Sequence, residues 1–266
     1  MQYKLIALDM DGTVLDSNKK IGARTLSAIH RAVECGVKVI ISTGRSYQGV
    51  RGYNEILKLE TPMISYHGGM VLQPTDETIL YQRTLREEDA LAIMRLGLEF
   101  GVSQVIWSNE RLYTFADSPH IREYAENMGI SFTIAEAKMA ETFAKQGVSK
   151  IIWSDEPEQV ARYIQELPSL LDGDMAYCTS CSHFLEFTDK HVSKGKALAF
   201  LSEYFQIAPE EMIAVGDGMN DKAMLKYAGL GVAMGNASDV VKGFADVVTR
   251  TNDEDGVADV IEAYIL

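Results

Sequence analysis

The sequence is poor in the residues that crosslink secreted proteins. Its 266 residues include three cysteines, an odd number, two of which stand in Cys178-Thr-Ser-Cys181. That spacing is half of a zinc site, but no second Cys/His pair completes four ligands, and a redox pair is the other interpretation. We expect reduced thiols in a cytoplasmic protein, because a chain of this length buries a sufficient core without disulfides.

Long apolar runs and positive charge are also scarce. Leu5-Ile6-Ala7-Leu8 is too short for a signal peptide and is interrupted by Asp9, and no run reaches the roughly 18 residues of a membrane span. The chain has 25 Lys+Arg against 38 Asp+Glu, a net charge of −13. Nucleic acid and anionic membrane surfaces would repel it. We therefore expect neither as a partner, and no pattern in the sequence fixes an oligomeric state.

What the sequence does contain is an alternation of apolar strands and amphipathic helices at both ends. A strand at 3–8, a helix at 23–35 and a strand at 37–42 form a β-α-β unit, and the same rhythm returns from Lys194. Between them, residues 83–186 mix hairpins with helices. We predict an α/β fold: a doubly wound, mostly parallel sheet core at 1–82 and 187–266, interrupted by an inserted α+β domain at 83–186. Finer predictions are a helix at 46–57, a strand at 62–66 and a poorly defined stretch that ends near 146.

Two aspartates follow the first strand, in Asp9-Met10-Asp11-Gly12-Thr13. Residues two apart in extended backbone point the same way, so we expect both carboxylates beyond the carboxyl end of the strand, where open α/β sheets bind ligands. Two carboxylates about 4 Å apart repel by about 4 kcal/mol at an effective dielectric of about 20. The pair therefore needs a cation, a shared proton or open solvent. A calcium loop is excluded, because Val14 and Lys20 stand where it requires Gly and Glu.

Three more polar segments lie at strand ends or helix starts. Gly216-Asp217-Gly218-Met219-Asn220-Asp221 offers two carboxylates and an amide, although helix capping by its last residue is the common alternative. Ser42-Thr43-Gly44-Arg45 offers an anion cradle, although such clusters are usually turns. Lys194-Gly195-Lys196 opens a helix, where lysine is unfavourable for the helix dipole. Together they supply carboxylates for a divalent metal, and a hydroxyl and a lysine for a phosphoryl group.

These four segments, in this order, resemble the motifs of the haloacid dehalogenase-like hydrolase superfamily. More narrowly, the chain resembles the Cof-type sugar phosphatases, whose type IIB cap is inserted between the second and third motifs. The DxDGT and GDxxND pair is highly specific, and the resemblance covers the whole chain. It implies a HAD-like Rossmannoid core, a cap at 83–186 and the hydrolysis of phosphoric monoesters.

The resemblance also implies a role for each matching residue. Asp9 would be the nucleophile that forms an aspartyl-phosphate, and Asp11 would act as general acid and then as general base. Mg²⁺ would be held by Asp9, by the backbone carbonyl of Asp11 and by Asp217, with Asp221 close by. The phosphoryl oxygens would be held by the Met10 amide, Thr43, the Gly44 amide, Lys194 and Asn220.

One position departs from the family pattern. Many relatives carry Asn-Gly after the third strand, where this chain has Ser65-Tyr66-His67-Gly68-Gly69. We expect His67 to be a strand-end histidine with little function, contact with the substrate being the alternative, and we expect Arg45 near the cleft. In the cap, the candidate substrate residues are Tyr113, Arg122, His183 and Glu186.

Other activities of the same superfamily compete with a phosphatase. A dehalogenase needs no acid two residues after its nucleophile, so Asp11 argues against one. A phosphonatase would use a cap lysine as a Schiff base, and the sequence does not distinguish Lys138, Lys145 and Lys150 in that respect. A phosphomutase, or a sensor that binds a phosphorylated metabolite without turnover, stays open.

The inserted cap also bears on the substrate. A cap that closes over the cleft excludes bulky phosphoproteins, so we expect a small phosphorylated metabolite. Sugar phosphates come first in this family, with pyridoxal phosphate and flavin mononucleotide as alternatives.

Overall fold

Two structural units make up the chain in the computed structural model, which describes residues 3–171, Gly173 and residues 175–266, with the backbone alone at residue 180. The first unit runs to Ser46 and continues over Arg51–Gln82 and Ser193–Leu266. The second comprises Tyr47–Val50 and Arg83–Val192.

The described residues form the following strands and helices. The strands are β1 (Leu5–Leu8), β2 (Lys38–Ile41), β3 (Met63–Ser65), β4 (Met70–Gln73), β5 (Thr78–Gln82), β6 (Ser103–Ser108), β7 (Arg111–Thr114), β8 (Phe132–Ile134), β9 (Val148–Ser154), β10 (Met175–Cys181), β11 (Phe184–Asp189), β12 (Met212–Gly216), β13 (Leu230–Ala233) and β14 (Val247–Val248). The helices are α1 (Ala23–Glu34), α2 (Arg51–Leu57), α3 (Glu87–Phe100), α4 (Pro119–Met128), α5 (Ala140–Gln146), α6 (Pro157–Leu170), α7 (Lys194–Phe205), α8 (Lys222–Tyr227), α9 (Asp239–Lys242) and α10 (Gly256–Tyr264). None of these helices has both the length and the apolar character that crossing a membrane requires.

The first unit is built on a parallel sheet with the strand order β14-β13-β12-β1-β2. Leu5 and Ala7 of β1 belong to one core cluster with Leu198 and Leu201 of α7. The intervening residues of β1 point to the other face of the sheet and are buried as well. A sheet covered on both faces explains the uninterrupted apolar run. The predicted α/β fold class with a doubly wound, mostly parallel sheet is confirmed.

A smaller antiparallel sheet, β3-β4-β5, extends the first unit beyond β2. A parallel bridge between Ser42 and Ile64 joins β2 to β3. The carboxyl end of β3 therefore lies beside the segment that follows β2, and this brings residues 66–68 to the second sequence motif.

The second unit contains a sheet with the strand order β10-β11-β9-β6-β7-β8. Its pairs are antiparallel except for β7 and β8. The core of this unit includes residues of α3, α5 and α6 together with Trp153 and Phe187 of the sheet. The hairpins and helices expected for an α+β module are present.

Three details differ from the sequence prediction. The helix expected at 46–57 begins at Arg51, since Gly49 weakens helix propensity at its predicted start. The stretch without a predicted element contains β8 and α5. The expected boundary between residues 186 and 187 falls inside β11, and the second unit continues to Val192.

Candidate active site

Three aspartates from two neighbouring strand ends form a carboxylate cluster. Asp9 follows β1 and Asp217 follows β12, its parallel neighbour in the sheet. The backbone N–H of Asp9 donates to the carbonyl of Val215 at 3.0 Å. Asp221 lies in the turn before α8, and one carboxylate oxygen from each aspartate lies within 4.8 Å of the others. The structure thus brings together the first and the last motif of the sequence.

Lys194 ties this carboxylate cluster to the start of α7. Its side chain is fully buried, and Nζ lies 2.5 Å from Oδ1 of Asp9 and 2.6 Å from Oδ1 of Asp221. Ser193 caps the helix by accepting the N–H of Lys196 at 3.1 Å. Burial alone would lower the pKa of Lys194, but the charges of Asp221 and Asp9 outweigh it and raise that pKa. The side chain is therefore a fixed positive charge.

One ammonium group does not balance three carboxylates. Burial raises the pKa of Asp9 well above its usual range; Lys194 offsets part of this, and the charges of Asp221 and Asp217 add to it. Burial and the charge of Asp221 also raise the pKa of Asp217. A hard divalent cation binds carboxylate oxygens and would neutralise the excess negative charge. The donor set therefore fits a metal such as Mg²⁺.

Backbone geometry holds two of these carboxylates in place. Oδ2 of Asp221 accepts the N–H groups of Asp217 at 3.0 Å and Gly218 at 2.9 Å. Gly12 has a φ of +78°, and a Cβ at this position would lie 2.4 Å from Oδ2 of Asp217. Glycine is required there both by the left-handed backbone and by the close approach of the carboxylate.

Asp11 has partners of its own. β1 ends at Leu8 and the chain turns at Gly12, so Asp11 lies outside the carboxylate cluster rather than beside Asp9 as the extended-strand argument predicted. Arg45 donates to it from Nε at 2.7 Å and from Nη2 at 2.6 Å, and Nζ of Lys19 lies 2.9 Å away. Burial alone would raise the pKa of Asp11, but the hydrogen bonds and charges of Arg45 and Lys19 lower it to about 2.

The other residues expected to hold phosphoryl oxygens belong to the same unit. Thr43 is buried, its N–H donates to the carbonyl of Ile64 at 2.9 Å, and its Oγ1 accepts the N–H of Arg45 at 3.1 Å. Asn220 precedes Asp221 in the turn and is exposed. The remaining two are Gly44, which is half-buried, and Met10, whose side chain is buried.

Glu186 of the second unit forms a buried ion pair with Lys150. Oε2 of Glu186 lies 2.9 Å from Nζ of Lys150, and the two side chains are 6% and 4% exposed. Burial alone would lower the pKa of Lys150, but Glu186 outweighs it and raises that pKa. Lys138 and Lys145, in contrast, are exposed. Because a Schiff-base lysine reacts as the neutral amine, this pairing argues against a phosphonatase that uses Lys150.

The other three candidate substrate residues of the second unit also have partners there. The ring of Tyr113 packs against Phe143, with the ring centroids 4.5 Å apart, at the edge of the core. The exposed Arg122 pairs with Asp117. Nδ1 of His183 lies 3.2 Å from a backbone carbonyl. Tyr113 and Arg122 thus have evident packing and surface roles.

Sequence reasoning missed three residues that support the site. Lys19 contacts Asp11, as described, and Thr13 Oγ1 donates to Asp217 at 3.3 Å. Asn236 donates from Nδ2 to the carbonyl of Gly12 at 2.9 Å. Its position after β13 was the available signal, because β13 lies beside β12 and its carboxyl end reaches the same edge of the sheet.

Comparison with known proteins decides the family. A model of the haloacid dehalogenase-like hydrolases matches residues 6–261. The chain belongs to this family. The 5-amino-6-(5-phospho-D-ribitylamino)uracil phosphatase YitU of Bacillus subtilis is 31% identical, over 98% of this chain and 97% of that protein. The phosphatase YwpJ of the same organism is 30% identical, over 96% and 97%.

A solved structure gives the same result for the fold. A haloacid dehalogenase-like hydrolase from Bacteroides thetaiotaomicron superposes with a TM-score of 0.88 at 30% identity, covering 98% of this chain and 99% of that one. The resemblance inferred from the four motifs is confirmed, and so is the expectation that the chain is an enzyme of this hydrolase family.

Proposed function

We propose that this haloacid dehalogenase-like hydrolase is a Mg²⁺-dependent phosphatase of small phosphorylated metabolites, sugar phosphates first among them. The observation that carries the proposal is the carboxylate cluster of Asp9, Asp217 and Asp221 with Lys194 buried against it. An anionic substrate requires fixed positive charge at such a place, and phosphoryl transfer depends mainly on positioning and charge neutralisation.

Each residue then has a definite task. Asp9 attacks phosphorus through a carboxylate oxygen, and the bond from phosphorus to the leaving oxygen breaks as an aspartyl-phosphate forms. Asp11 is kept ionised by its contacts with Arg45 and Lys19. Released from them, it would give a proton to the leaving oxygen and later take one from the water that hydrolyses the aspartyl-phosphate. Lys194 holds the carboxylate of Asp9 in place and offsets negative charge. A Mg²⁺ ion held by Asp9, Asp217, Asp221 and the backbone carbonyl of Asp11 would neutralise the phosphoryl charge.

The remaining phosphoryl contacts would come from a group of donors that we call the phosphoryl cradle: Met10, Thr43, Gly44 and Asn220. The hydroxyl of Thr43 would donate a hydrogen bond to a phosphoryl oxygen. The backbone amides of Met10 and Gly44 and the side chain of Asn220 would donate further hydrogen bonds. Backbone and amide donors of this kind are fixed by the fold before the substrate arrives, which is how charge developing in phosphoryl transfer is stabilised most effectively.

The substrate class rests on the relatives. The named substrate of YitU is a small phosphorylated metabolite. A protein of Yersinia pseudotuberculosis that is 28% identical over 88% of this chain is named HMP-PP phosphatase. These names support small phosphorylated molecules as the class of substrate, and they do not single out one particular ester.

The test is hydrolysis of p-nitrophenyl phosphate by the purified protein with and without Mg²⁺. We expect Mg²⁺-dependent release of phosphate, lowered by about a thousandfold or more in Asp9→Asn, because the nucleophile is lost. Asp76→Asn makes the same chemical change in the β4–β5 loop and should leave the activity unchanged. A panel of phosphorylated metabolites then ranks the substrates.

Two outcomes would change the assignment. Phosphate release that requires an added bisphosphate activator would indicate a phosphomutase. No turnover of any ester with Mg²⁺ would indicate a protein that only binds a phosphorylated metabolite.

A further inference from the structure

The turn after β3 has an unusual backbone. Tyr66, His67 and Gly68 follow one another with φ values of 50°, 58° and 102°. Residues other than glycine rarely adopt the left-handed region, and a non-glycine pair there persists only where the surroundings impose it. Strain of this kind clusters at binding and catalytic sites.

The surroundings of this turn are the motifs of the candidate active site. The backbone N–H of His67 donates to the carbonyl of Thr43 at 3.0 Å. On the other side, a Cβ on Gly68 would lie 2.2 Å from the carbonyl oxygen of Ser193 and 2.8 Å from the nitrogen of Lys194. The turn is therefore wedged between the second and third motifs, and its conformation follows from that position.

The ring of His67 is in contact with two residues that we expect to hold phosphoryl oxygens. A Cβ on Gly44 would lie 2.2 Å from Cε1, 2.6 Å from Nε2 and 2.7 Å from Nδ1 of the ring, so only glycine leaves room for the imidazole. Nδ2 of Asn220 lies 3.1 Å from Nδ1 of the same ring. The imidazole thus contacts both the glycine of the second motif and the asparagine of the fourth.

These contacts assign the proton of the ring. An amide nitrogen can only donate, so Nδ1 accepts from Nδ2 of Asn220, and the neutral imidazole then carries its proton on Nε2. The Nε2–H of His67 is then a further hydrogen-bond donor beside those of the phosphoryl cradle.

We propose that His67 is a phosphoryl-binding residue, whose Nε2–H donates to an oxygen of the phosphoryl group while Nδ1 fixes the amide of Asn220. The proposal rests on the phosphatase function proposed above and adds His67 to the residues expected to hold phosphoryl oxygens. It reverses the expectation that His67 is a strand-end residue with little function.

Two variants separate the ring from the backbone. His67→Gly removes the ring and relieves the left-handed backbone, whereas His67→Asn tolerates that backbone but has a shorter side chain. His30→Asn is the matched control, since the ring of His30, on α1, contacts the carbonyl of Leu57, at the end of α2, and neither residue belongs to a motif.

The readouts are kcat/KM for an aryl and an alkyl phosphate, and the inhibition constant of orthovanadate. A hydrogen bond to a charged phosphoryl oxygen is worth roughly 10- to 100-fold, so His67→Gly should lower kcat/KM by that factor for both esters and raise the vanadate constant similarly. His67→Asn should retain part of the function, and His30→Asn should match the wild type.

Two results would overturn the proposal. If His67→Gly loses only thermal stability, the ring is structural. If one ester alone is affected and vanadate inhibition is unchanged, the ring contacts the leaving group instead.

The proposal also has a test that does not depend on turnover. Inorganic phosphate with Mg²⁺ should raise the Tm of the wild type, and His67→Gly should lose most of this rise. Should the wild type hydrolyse no ester, the proposed function fails, and this phosphate-dependent shift still decides the role of His67. An equal shift in the wild type and in His67→Gly refutes it.

Discussion

The buried pair Lys150–Glu186 allows a quantitative prediction of stability. The 2.9 Å separation corresponds to an attraction of about 6 kcal/mol at an effective dielectric of about 20, most of which offsets the desolvation of the two charges. Replacing one partner removes the opposite charge that the other side chain, still buried, contacts. We therefore expect Lys150→Met and Glu186→Leu each to lower the free energy of unfolding by about 3–5 kcal/mol.

The double variant is the decisive member of this cycle. Lys150→Met with Glu186→Leu leaves no charge to solvate and fills the site with apolar side chains of similar size. We expect its free energy of unfolding to lie within about 1 kcal/mol of the wild type or above it, far from the sum of the two single changes.

Urea denaturation followed by tryptophan fluorescence suits this cycle. The chain has two tryptophans, and both are buried in the second unit with the ion pair. Arg95→Met provides the control: Arg95 pairs with Glu141 at 2.8 Å, but the two side chains are 58% and 61% exposed. An exposed pair is worth at most about 1 kcal/mol. A Lys150→Met variant no less stable than this control, or a double variant that equals the sum of its singles, would refute the reasoning.

Two further predictions concern a glycine of the carboxylate cluster and a tyrosine of the second unit. In Gly12→Ala the new Cβ would displace Asp217. The Mg²⁺ concentration that gives half-maximal activity should therefore rise by about 10- to 100-fold, and the dissociation constant of Mg²⁺ measured by calorimetry should rise by the same factor. Gly36→Ala, with a φ of +84° and no atom within 4 Å of its Cβ, has the same backbone strain and should leave both unchanged; equal behaviour of the two variants would contradict the steric argument. Burial and a 2.6 Å hydrogen bond to Asp155 raise the pKa of Tyr163 to about 12. This raised pKa stabilises the fold below roughly pH 10, and the contribution is lost as the pH rises towards 12. Tyr163→Phe should remove one late step from the tyrosinate absorbance titration, and an unchanged curve would argue against it.

The carboxylate cluster was predictable because it depends on strand ends. An aspartate directly after a buried strand lies at the carboxyl edge of a parallel sheet, whatever the rest of the chain does. Asp9 and Asp217 meet for this reason. The direction of Asp11 was not predictable, because the prediction extended the strand backbone beyond Leu8, whereas the chain turns at Gly12.

Short secondary-structure elements and contacts between residues far apart in the chain could not be predicted from the sequence. β8 has three residues and α5 has seven, too few for periodicity to separate them from irregular chain. Their formation depends on pairing with β7 and packing against α3, contacts that no local pattern contains. The partner of Glu186 was unpredictable for the same reason, since Lys150 looks like any other lysine of the insertion.

Some residues of the candidate active site have a charge or a backbone conformation that is unfavourable at their position, and contacts within the site compensate for it. Lys194 opposes the dipole of α7, and its burial between Asp9 and Asp221 compensates for that placement. Gly12 adopts a backbone that other residues avoid, and this brings Asp217 close. His67 adopts the same region without being glycine, which requires a compensating contact, and its ring has such contacts within the candidate phosphoryl cradle. The sequence alone shows the conflict at the lysine, because a positive charge at the start of a helix is unfavourable. Sequence reasoning cannot detect the histidine, because the conflict there lies in the backbone alone.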